Sequence, residues 1–406
     1  LLYCHIFMSI LSKSLERIKP SPTISVTQKA RELKAKGADI ISLGSGEPDF
    51  DTPDNVKSAA IEAIKNGQTK YTAVDGTVDL KNAIVSKFKK ENNLTYEKNQ
   101  ISVGAGGKQV IYNAFLATIN SGDEIIIPSP FWVSYPDIVL LAGGIPKIIE
   151  CGEEDNFKLT AKSLKKNITQ KTKWLIINSP GNPTGSCYSE QEINELVDVL
   201  VKYPKILIMS DDIYEHIIYD EFNFYTPAQN NKIFDRTLTI NGVSKSYAMT
   251  GWRIGYAGGP EEIIKGMAKL QSQSTTNPSS ISQAAAVEAL KGDQSFIQTR
   301  KKVFKKRRDF IVEMLNKING IECIKPQGAF YVFPSCKKLI GKKHQKLGLI
   351  KNDKDFVTKL LESYGVAVVQ GSAFGLDGYF RISYAASDDE LKKAIDRITK
   401  FCSEII

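Results

Sequence analysis

Histidine is scarce in this sequence, and its cysteines follow no metal-binding pattern. There are three histidines and six cysteines in 406 residues, and no two cysteines have the CxxC spacing of a zinc or redox site. So few histidines leave little material for a histidine-ligated metal or a Ser-His-Asp triad. We therefore expect no metal site, reduced thiols and a cytoplasmic location.

Long apolar runs are also missing. No stretch reaches the roughly 20 apolar residues of a membrane-spanning helix. Residues 1–7 are mostly apolar, but they lack the basic segment and the full apolar segment of a signal peptide. We expect Met8 to be the natural start, residues 1–7 to lie upstream of it, and no association with a membrane.

A dense basic segment with regularly placed aromatic residues is absent as well. Lysine and arginine outnumber aspartate and glutamate by 54 to 45, giving a net charge of +9, but the excess is scattered along the chain. The densest runs, Lys301–Arg308 and Lys337–Lys346, lack the repeatedly interleaved aromatic residues of a single-strand nucleic-acid binder. We expect no nucleic-acid partner and a basic surface suited to anionic metabolites.

What the sequence does contain is a regular alternation of short apolar strands and amphipathic helices. From about residue 55 to residue 210 this alternation predicts an α/β fold with a largely parallel sheet, covered by helices on both faces. Ligands of such sheets bind beyond the carboxyl ends of the strands. The glycine loop 104–108, Asn182, Asp211 and Lys245 each follow a predicted strand, so we expect them to meet at that edge.

The pattern changes in the last third of the chain. Lys291–Lys317 is predicted to form one long charged helix. Beyond it, the helix Lys354–Tyr364 and the strands Val366–Gln370 and Tyr379–Tyr384 indicate a smaller α+β domain. The lysine-rich segment Lys337–Lys354 is predicted to be a surface loop.

A lysine between two buried strands is the strongest candidate for chemistry. Lys245 lies between the β-branched runs Thr237–Ile240 and Ile254–Ala257. Poor solvation, together with the nearby Arg253 cation, would disfavour its ammonium form and leave an amine that attacks carbonyl groups. Ser244 and Arg253 are suited to a phosphate. Taken alone, however, a lysine is more often a solvated surface residue.

Other candidates each allow a second interpretation. Asp211 ends a buried strand, where it either meets a cation or caps the next helix. The glycine loop 104–108 is an anion cradle at a helix start without the P-loop pattern, and two prolines and two glycines around Asn182 fix its loop. Trp132 is either a core residue or a ligand-stacking plate, and Arg381 either a surface ion pair or a carboxylate clamp.

Together these residues supply an amine, an acid, a phosphate nest, an aromatic plate and a carboxylate clamp, which fit pyridoxal phosphate (PLP) chemistry. The sequence also carries GSGEPDF at 44–50, NSPGNPTG at 178–185, SDDIY at 210–214 and SKSYAMTGWR at 244–253. With these motifs the chain resembles a class I (fold type I) PLP-dependent aminotransferase of the bacterial-type aspartate aminotransferase family. The resemblance runs from about Lys19 to the C-terminus.

The resemblance implies a role for each residue of the reaction centre. Lys245 would bind the cofactor covalently and carry a proton between the substrate Cα and the cofactor C4′. Asp211 would pair with the pyridinium nitrogen, Tyr214 and Asn182 would hydrogen-bond the ring 3-oxygen, and Trp132 would stack on the ring.

The cofactor phosphate and the partner subunit are implied in the same way. The phosphate would be held by Ser244, Arg253 and the backbone of Gly106, Gly107 and Lys108. Tyr71 would reach the phosphate of the neighbouring subunit, which implies a homodimer with shared sites.

Substrate binding follows from the resemblance too. Arg381 would bind the α-carboxylate near Asn182 and the backbone of Gly44. The region 271–278 (QSQSTTNP) lacks the arginine that some relatives use for the distal carboxylate. In the bacterial-type branch Lys108 takes that role, with Thr23 and Ser272, although Lys108 could instead bind the phosphate or lie on the surface. Asp212 and Gln370 stand where many relatives have Glu and Pro, outside the proposed chemistry.

The implied architecture is a large domain with a mainly parallel seven-stranded sheet between helices, and a small α+β domain built from both chain ends. We expect an N-terminal arm and part of the small domain in residues 8–49, the PLP-binding domain in 50–295 and the C-terminal domain in 296–406.

The implied reaction converts L-aspartate and 2-oxoglutarate to oxaloacetate and L-glutamate, with prephenate to arogenate as a further possibility. Broader aromatic or alanine specificity is the alternative within the class. A non-catalytic PLP-binding regulatory module is disfavoured because the segment before Lys19 is too short for a DNA-binding domain, and because Lys245, Asp211 and Arg381 are retained.

Overall fold

A computed structural model describes residues 10–406 of the protein. The expectations for Met8 and for residues 1–7 lie outside this range. Within it, none of the helices combines the length and the apolar character needed to cross a membrane.

Twelve α-helices, fourteen β-strands and eight short 3-10 helices make up the secondary structure of residues 10–406. The helices are α1 (Pro22–Ala35), α2 (Asp54–Lys65), α3 (Val78–Asn92), α4 (Gly107–Thr118), α5 (Ser134–Leu141), α6 (Ala161–Asn167), α7 (Glu190–Leu200), α8 (Glu261–Ser272), α9 (Ser280–Lys291), α10 (Ser295–Leu315), α11 (Asp353–Tyr364) and α12 (Asp388–Ser403). The strands are β1 (Ile41–Ser42), β2 (Ile101–Gly104), β3 (Glu124–Ser129), β4 (Ile145–Glu150), β5 (Thr172–Asn178), β6 (Leu207–Asp211), β7 (Thr237–Gly242), β8 (Gly255–Gly258), β9 (Tyr331–Val332), β10 (Lys343–His344), β11 (Gly348–Leu349), β12 (Val366–Ala367), β13 (Val369–Gln370) and β14 (Phe380–Ser383).

Seven strands form the central sheet, in the order β2-β8-β7-β6-β5-β3-β4. Every neighbouring pair is parallel except those of β8, which runs antiparallel to β2 and β7. Strands β2, β7 and β8 are buried at every residue, since hydrophobic clusters pack on both faces of the sheet. The expected α/β fold with a mainly parallel seven-stranded sheet is confirmed.

Both ends of the chain contribute to a second, smaller assembly. Strand β1 pairs in parallel with β12, Ile41 opposite Val366, so residues just before the large sheet bind residues near the C-terminus. Strands β13, β14 and β9 form an antiparallel sheet. One hydrophobic cluster joins this sheet to α10, α11 and α12. The domain boundaries 8–49, 50–295 and 296–406 remain predictions.

Three local predictions need correction. The helix predicted over Lys291–Lys317 is one helix, α10, but it begins later than expected, at Ser295. Lys291 is the last residue of α9, the chain leaves α9 at Gly292, and the Asp293 carboxylate accepts a hydrogen bond from the backbone N–H of Ser295. The pattern over Thr27–Lys36 predicts a helix that begins at Thr27, whereas α1 already begins at Pro22, since proline needs no N–H donor in the first turn.

The segment 337–354 is more ordered than a surface loop. It contains the antiparallel hairpin of β10 and β11, and His344 on β10 is 2% exposed. The His344 ring stacks on Phe401 of α12, and its Nδ1 accepts backbone hydrogen bonds from Lys346 and Leu347. The buried side chains of His344, Leu339 and Ile350 therefore hold a lysine-rich segment against the core.

An interior ion pair joins helix α3 to the loops that follow β6 and β7. The Lys87 ammonium contacts the Glu215 carboxylate, and both side chains are buried. Asn92 donates to Glu215 at 2.6 Å, and Asn241 at the end of β7 donates to it at 2.7 Å. Because Glu215 follows Tyr214 directly, this network fixes the backbone of two segments that carry predicted site residues.

Glycine is required where strand β8 crosses the loop between β2 and α4. A Cβ at Gly255 would lie 2.1 Å from the Gly107 nitrogen and 2.4 Å from the Gly106 carbonyl carbon. Gly106 itself has φ +86°, a conformation that side chains disfavour. The close approach brings the N-terminus of α4 to the same edge of the sheet as the loop after β7.

We predict that Gly255→Ala lowers the free energy of unfolding by about 2–3 kcal/mol, because a methyl group there meets backbone atoms that cannot rotate away. Chemical denaturation measures the loss. Gly251→Ala is the matched control, since a Cβ at Gly251 meets no atom within 4 Å. Equal stability of the two variants would contradict the crossing described above.

Glu215→Gln should lower the free energy of unfolding at neutral pH by about 3 kcal/mol, since it removes the buried counter-charge of Lys87 and leaves only the more distant Glu91 carboxylate, at 3.6 Å. Glu313→Gln removes an exposed partner of Lys317 on α10 and should change little.

The Glu215 effect should also depend on pH. Burial raises the pKa of Glu215, but the Lys87 ammonium and the hydrogen bonds around it hold the pKa below its usual range. The carboxylate therefore stabilises the fold at neutral pH, and this contribution disappears as the pH falls below about 4.3. The stability gap between wild type and Glu215→Gln should close in that range, and a gap that stays constant would rule out the ion pair as its origin.

Candidate active site

A cavity of about 650 Å³ lies beyond the carboxyl ends of the parallel strands. Twelve of the fifteen predicted site residues line it: Thr23, Gly44, Gly107, Lys108, Trp132, Asn182, Asp211, Tyr214, Ser244, Lys245, Arg253 and Arg381. Helix α1 forms one wall, and besides Thr23 it contributes Thr27, Gln28 and Arg31, which the sequence patterns did not single out.

Three predicted residues do not line the cavity. Gly106 lies behind it, against the Arg253 guanidinium, where a Cβ would approach Nη2 to 2.2 Å. Tyr71 is 89% exposed. Ser272 ends helix α8, and its hydroxyl donates to the Lys269 carbonyl at 2.7 Å.

The Lys245 side chain is partly buried at the cavity wall, and its amine points toward the loop after β1. Its Nζ donates to the Gly46 carbonyl at 2.5 Å. Burial and, after it, the Arg381 guanidinium lower the pKa of Lys245 to about 8, and Arg381 contributes more than the Arg253 that the sequence suggested. At pH 7 about a tenth of this lysine is therefore the neutral, nucleophilic amine, far more than for an ordinary lysine with a pKa of about 10.4. The alternative of a solvated surface lysine is wrong.

Asp211 is a buried carboxylate with no cationic side chain bound to it. The Tyr135 hydroxyl donates to it at 2.5 Å, and the Ile213 N–H at 3.4 Å. Burial raises its pKa. The first helical turn after β6 in the described chain begins at Pro227, so Asp211 is not a helix cap. An acid held by neutral donors beside an open cavity is suited to an incoming cation.

Arg381, on strand β14, is 2% exposed and has no carboxylate partner among residues 10–406. Its Nη1 donates to Asn182 Oδ1 at 2.9 Å and its Nη2 to the Gly44 carbonyl at 2.6 Å, while Nε is buried without a partner. The surface ion-pair interpretation is wrong. A buried guanidinium held only by neutral acceptors is arranged for an external carboxylate.

Groups that bind anions line the cavity around the N-terminus of α4. Helix α4 begins at Gly107 with its N–H groups and positive dipole end at the cavity wall. The Arg253 side chain donates to the carbonyls of Thr250 at 2.8 Å and Ala105 at 3.3 Å, and Ser244 lies on the same wall. These donors are suited to a phosphate dianion.

Lys108 and Trp132 form a pair at the cavity wall. The Lys108 Nζ lies 5.0 Å from the centre of the Trp132 ring. Burial lowers the pKa of Lys108, and the nearby Arg253 charge lowers it further. Trp132 also packs edge-on against Tyr135 with its ring only partly buried, so it lines the cavity rather than the core.

Two tyrosines of the site escaped the sequence analysis. Tyr135, which binds Asp211, lies in the first turn of α5, three residues after Trp132, so its nearness to Trp132 in the sequence could have indicated it. The Tyr331 hydroxyl lies 2.8 Å from that of Tyr214, and its ring faces the Arg381 guanidinium at 4.5 Å. Tyr331 comes from the distant strand β9, so no local pattern connects it with the site.

Comparison with known proteins agrees with this geometry. A probable aspartate/prephenate aminotransferase of Rhizobium leguminosarum bv. phaseoli is 57% identical over 97% of this chain and 99% of its own length. An aspartate/prephenate aminotransferase of Cereibacter sphaeroides is 56% identical over 98% and 99%. The crystal structure of an aspartate aminotransferase from Rhizobium meliloti is 50% identical, with a TM-score of 0.95 over 98% of this chain and 100% of that one.

A more distant structure has the same fold. The Thermus thermophilus aspartate aminotransferase with maleate is 40% identical, with a TM-score of 0.91 over 97% of this chain and 100% of that one. The family model described as aminotransferase class I and II matches residues 38–398. On the buried lysine, the acid facing the cavity, the free guanidinium and this match, the chain belongs to the class I and II aminotransferase family.

Proposed function

We propose that the protein is a PLP-dependent aminotransferase that converts L-aspartate and 2-oxoglutarate to oxaloacetate and L-glutamate. The observation that carries the proposal is the buried Lys245 amine, its pKa lowered to about 8, in a cavity that also contains Asp211 and Arg381. The relatives from R. leguminosarum, C. sphaeroides and R. meliloti are named for aspartate, which supports this substrate.

The residues present fit PLP at both ends of the cavity. The α4 N-terminus, Ser244 and Arg253 offer donors for the phosphate, and Asp211 offers a carboxylate for the pyridinium nitrogen. When bound, PLP supplies an electron sink for the negative charge that develops at the substrate Cα. Holding Asp211 as an acceptor is the task of Tyr135 and the Ile213 N–H.

Lys245 is the proton carrier in this proposal. Its amine is buried beside the cavity and reaches the Gly46 carbonyl, so it can take a proton from the substrate Cα and return it elsewhere without exchange with bulk water. The low pKa keeps a sufficient fraction of neutral base near pH 7. Tyr214 and Asn182 line the same wall and supply the hydrogen bonds to the ring oxygen.

Arg381 binds the substrate α-carboxylate, because its partners are neutral and its Nε is free. For the distal carboxylate we propose Lys108, which lies across the cavity on Trp132, with Thr23 of α1. Ser272 is not in the cavity wall, so any contribution of this residue would be to a neighbouring subunit.

Two further parts of the proposal concern partners. The names of two relatives include prephenate, and a cavity of about 650 Å³ has room for this larger acceptor, so prephenate is the second candidate substrate. A homodimer with shared sites would bury Tyr71, which is 89% exposed in the single chain, against the neighbouring phosphate site.

Lys245→Ala should reduce turnover by at least about 10³-fold, because it removes the proposed proton carrier and Lys108, which also lines the cavity, lies over the Trp132 ring instead. It should also abolish the visible absorbance band of the covalently bound cofactor. PLP should still bind non-covalently through its phosphate, and dialysis should then remove it. Lys269→Ala, on the surface of α8, serves as the control. Unchanged activity and absorbance in Lys245→Ala would refute the proposed function.

Lys108→Ala should raise KM for aspartate and 2-oxoglutarate by about 10-fold or more, since it removes one charge-assisted contact to the distal carboxylate. KM for alanine, which has no distal carboxylate, should change far less. Steady-state kinetics with both amino donors measures the difference, with Lys265→Ala as the surface control. Equal effects on both donors would remove Lys108 from substrate recognition.

A further inference from the structure

The Tyr331 side chain contacts both Arg381, the proposed carboxylate clamp, and Tyr214, the proposed partner of the cofactor ring oxygen. It comes from strand β9, next to the Arg381 strand β14, and it is fully buried. Its hydroxyl lies 2.8 Å from the Tyr214 hydroxyl, and the Arg381 guanidinium covers its ring at 4.5 Å. A Cβ at Gly46, whose carbonyl binds Lys245, would lie only 2.9 Å from the Tyr331 oxygen.

The 2.8 Å separation of the Tyr331 and Tyr214 hydroxyls allows either one to donate, and the charges nearby favour Tyr331. The Arg381 cation over the Tyr331 ring draws electron density from the phenol and makes its hydroxyl the better donor. Burial raises the pKa of Tyr331, but Arg381 and the bond to Tyr214 oppose that rise. With Tyr331 as the donor to the Tyr214 oxygen, the Tyr214 proton is left for an acceptor in the cavity.

A hydroxyl that accepts one hydrogen bond becomes a stronger donor of the next, because the bonds of a chain polarise one another. We propose that Tyr331 is a positioning residue that acts through Tyr214: it couples the carboxylate-binding Arg381 to the hydrogen bond that Tyr214 donates to the cofactor. The inference rests on the proposed PLP function and adds to it a path between substrate binding and the cofactor.

The path through Tyr214 predicts a change in the pKa of the cofactor-linked nitrogen. A stronger Tyr214 hydrogen bond stabilises the anionic ring oxygen, which then holds the proton at the neighbouring cofactor-linked nitrogen less tightly. The charged groups that line the cavity are Arg381, Lys245, Asp211, Glu47, Arg253, Lys108 and, from α1, Arg31. Removing the Tyr331 hydroxyl changes none of these charges.

A double-mutant cycle on the cofactor-loaded protein tests the inference. The readout is the pH midpoint of the visible absorbance change, measured for wild type, Tyr331→Phe, Tyr214→Phe and the double variant. Tyr331→Phe should raise the midpoint by about 0.5 pH unit, because Tyr214 becomes a weaker donor. In the double variant, loss of the Tyr331 hydroxyl should add no further shift to that of Tyr214→Phe.

The control is Tyr256→Phe, which removes a buried hydroxyl that has no hydrogen-bond partner and does not line the cavity. Its midpoint should equal that of wild type. Because Tyr331→Phe keeps the ring under Arg381, its unfolding midpoint should also stay close to wild type.

Each outcome of these measurements either supports the path through Tyr214 or overturns it. No shift in Tyr331→Phe, or shifts that add in the double variant, would overturn the path through Tyr214 while the proposed function stands. A wild-type protein without any cofactor band would overturn the proposed function and the inference with it. A shift in Tyr256→Phe as large as that in Tyr331→Phe would assign the effect to packing and overturn the path as well.

Discussion

The site depends on the removal of water from an amine. Lys245 follows a strand that is buried at every residue, and loss of solvent lowers its pKa more than any neighbouring charge does. The surrounding structure keeps this unfavourable arrangement intact. The Lys87–Glu215 network fixes the loops after β6 and β7, and the crossing at Gly255 holds the α4 N-terminus beside them.

The charged side chains of Asp211 and Arg381 are held by neutral partners in the described chain, which leaves their charges available to a cofactor or substrate. Asp211 is bound by a hydroxyl and an N–H, and Arg381 by an amide oxygen and a carbonyl. Internal ion pairs between these groups would satisfy them and leave nothing for a cofactor or substrate. Neutral partners orient each group and keep its charge available, which is how a preorganised site gains electrostatic binding energy.

The sequence correctly indicated that side chains at or just after the ends of neighbouring strands would meet in one cavity. Asn182, Asp211 and Lys245 follow β5, β6 and β7, so strand order alone predicted their meeting. The sequence could not indicate Tyr331, because its position in the site results from packing between strands that are far apart in the chain. The start of the long charged helix was placed too early, at Lys291, because that residue ends α9 and the charged pattern continues across Gly292 into α10, which begins at Ser295.

The parallel pair of β1 and β12 affects the order in which the protein is assembled on the ribosome. Ile41 and Val366 are about 325 residues apart, so the early strand must wait for almost the whole chain to be translated. The Lys245 loop and its sheet emerge long before Arg381 does. Because burial and the Arg381 charge both lower the pKa of Lys245, the amine becomes fully reactive only after the two ends of the chain have paired.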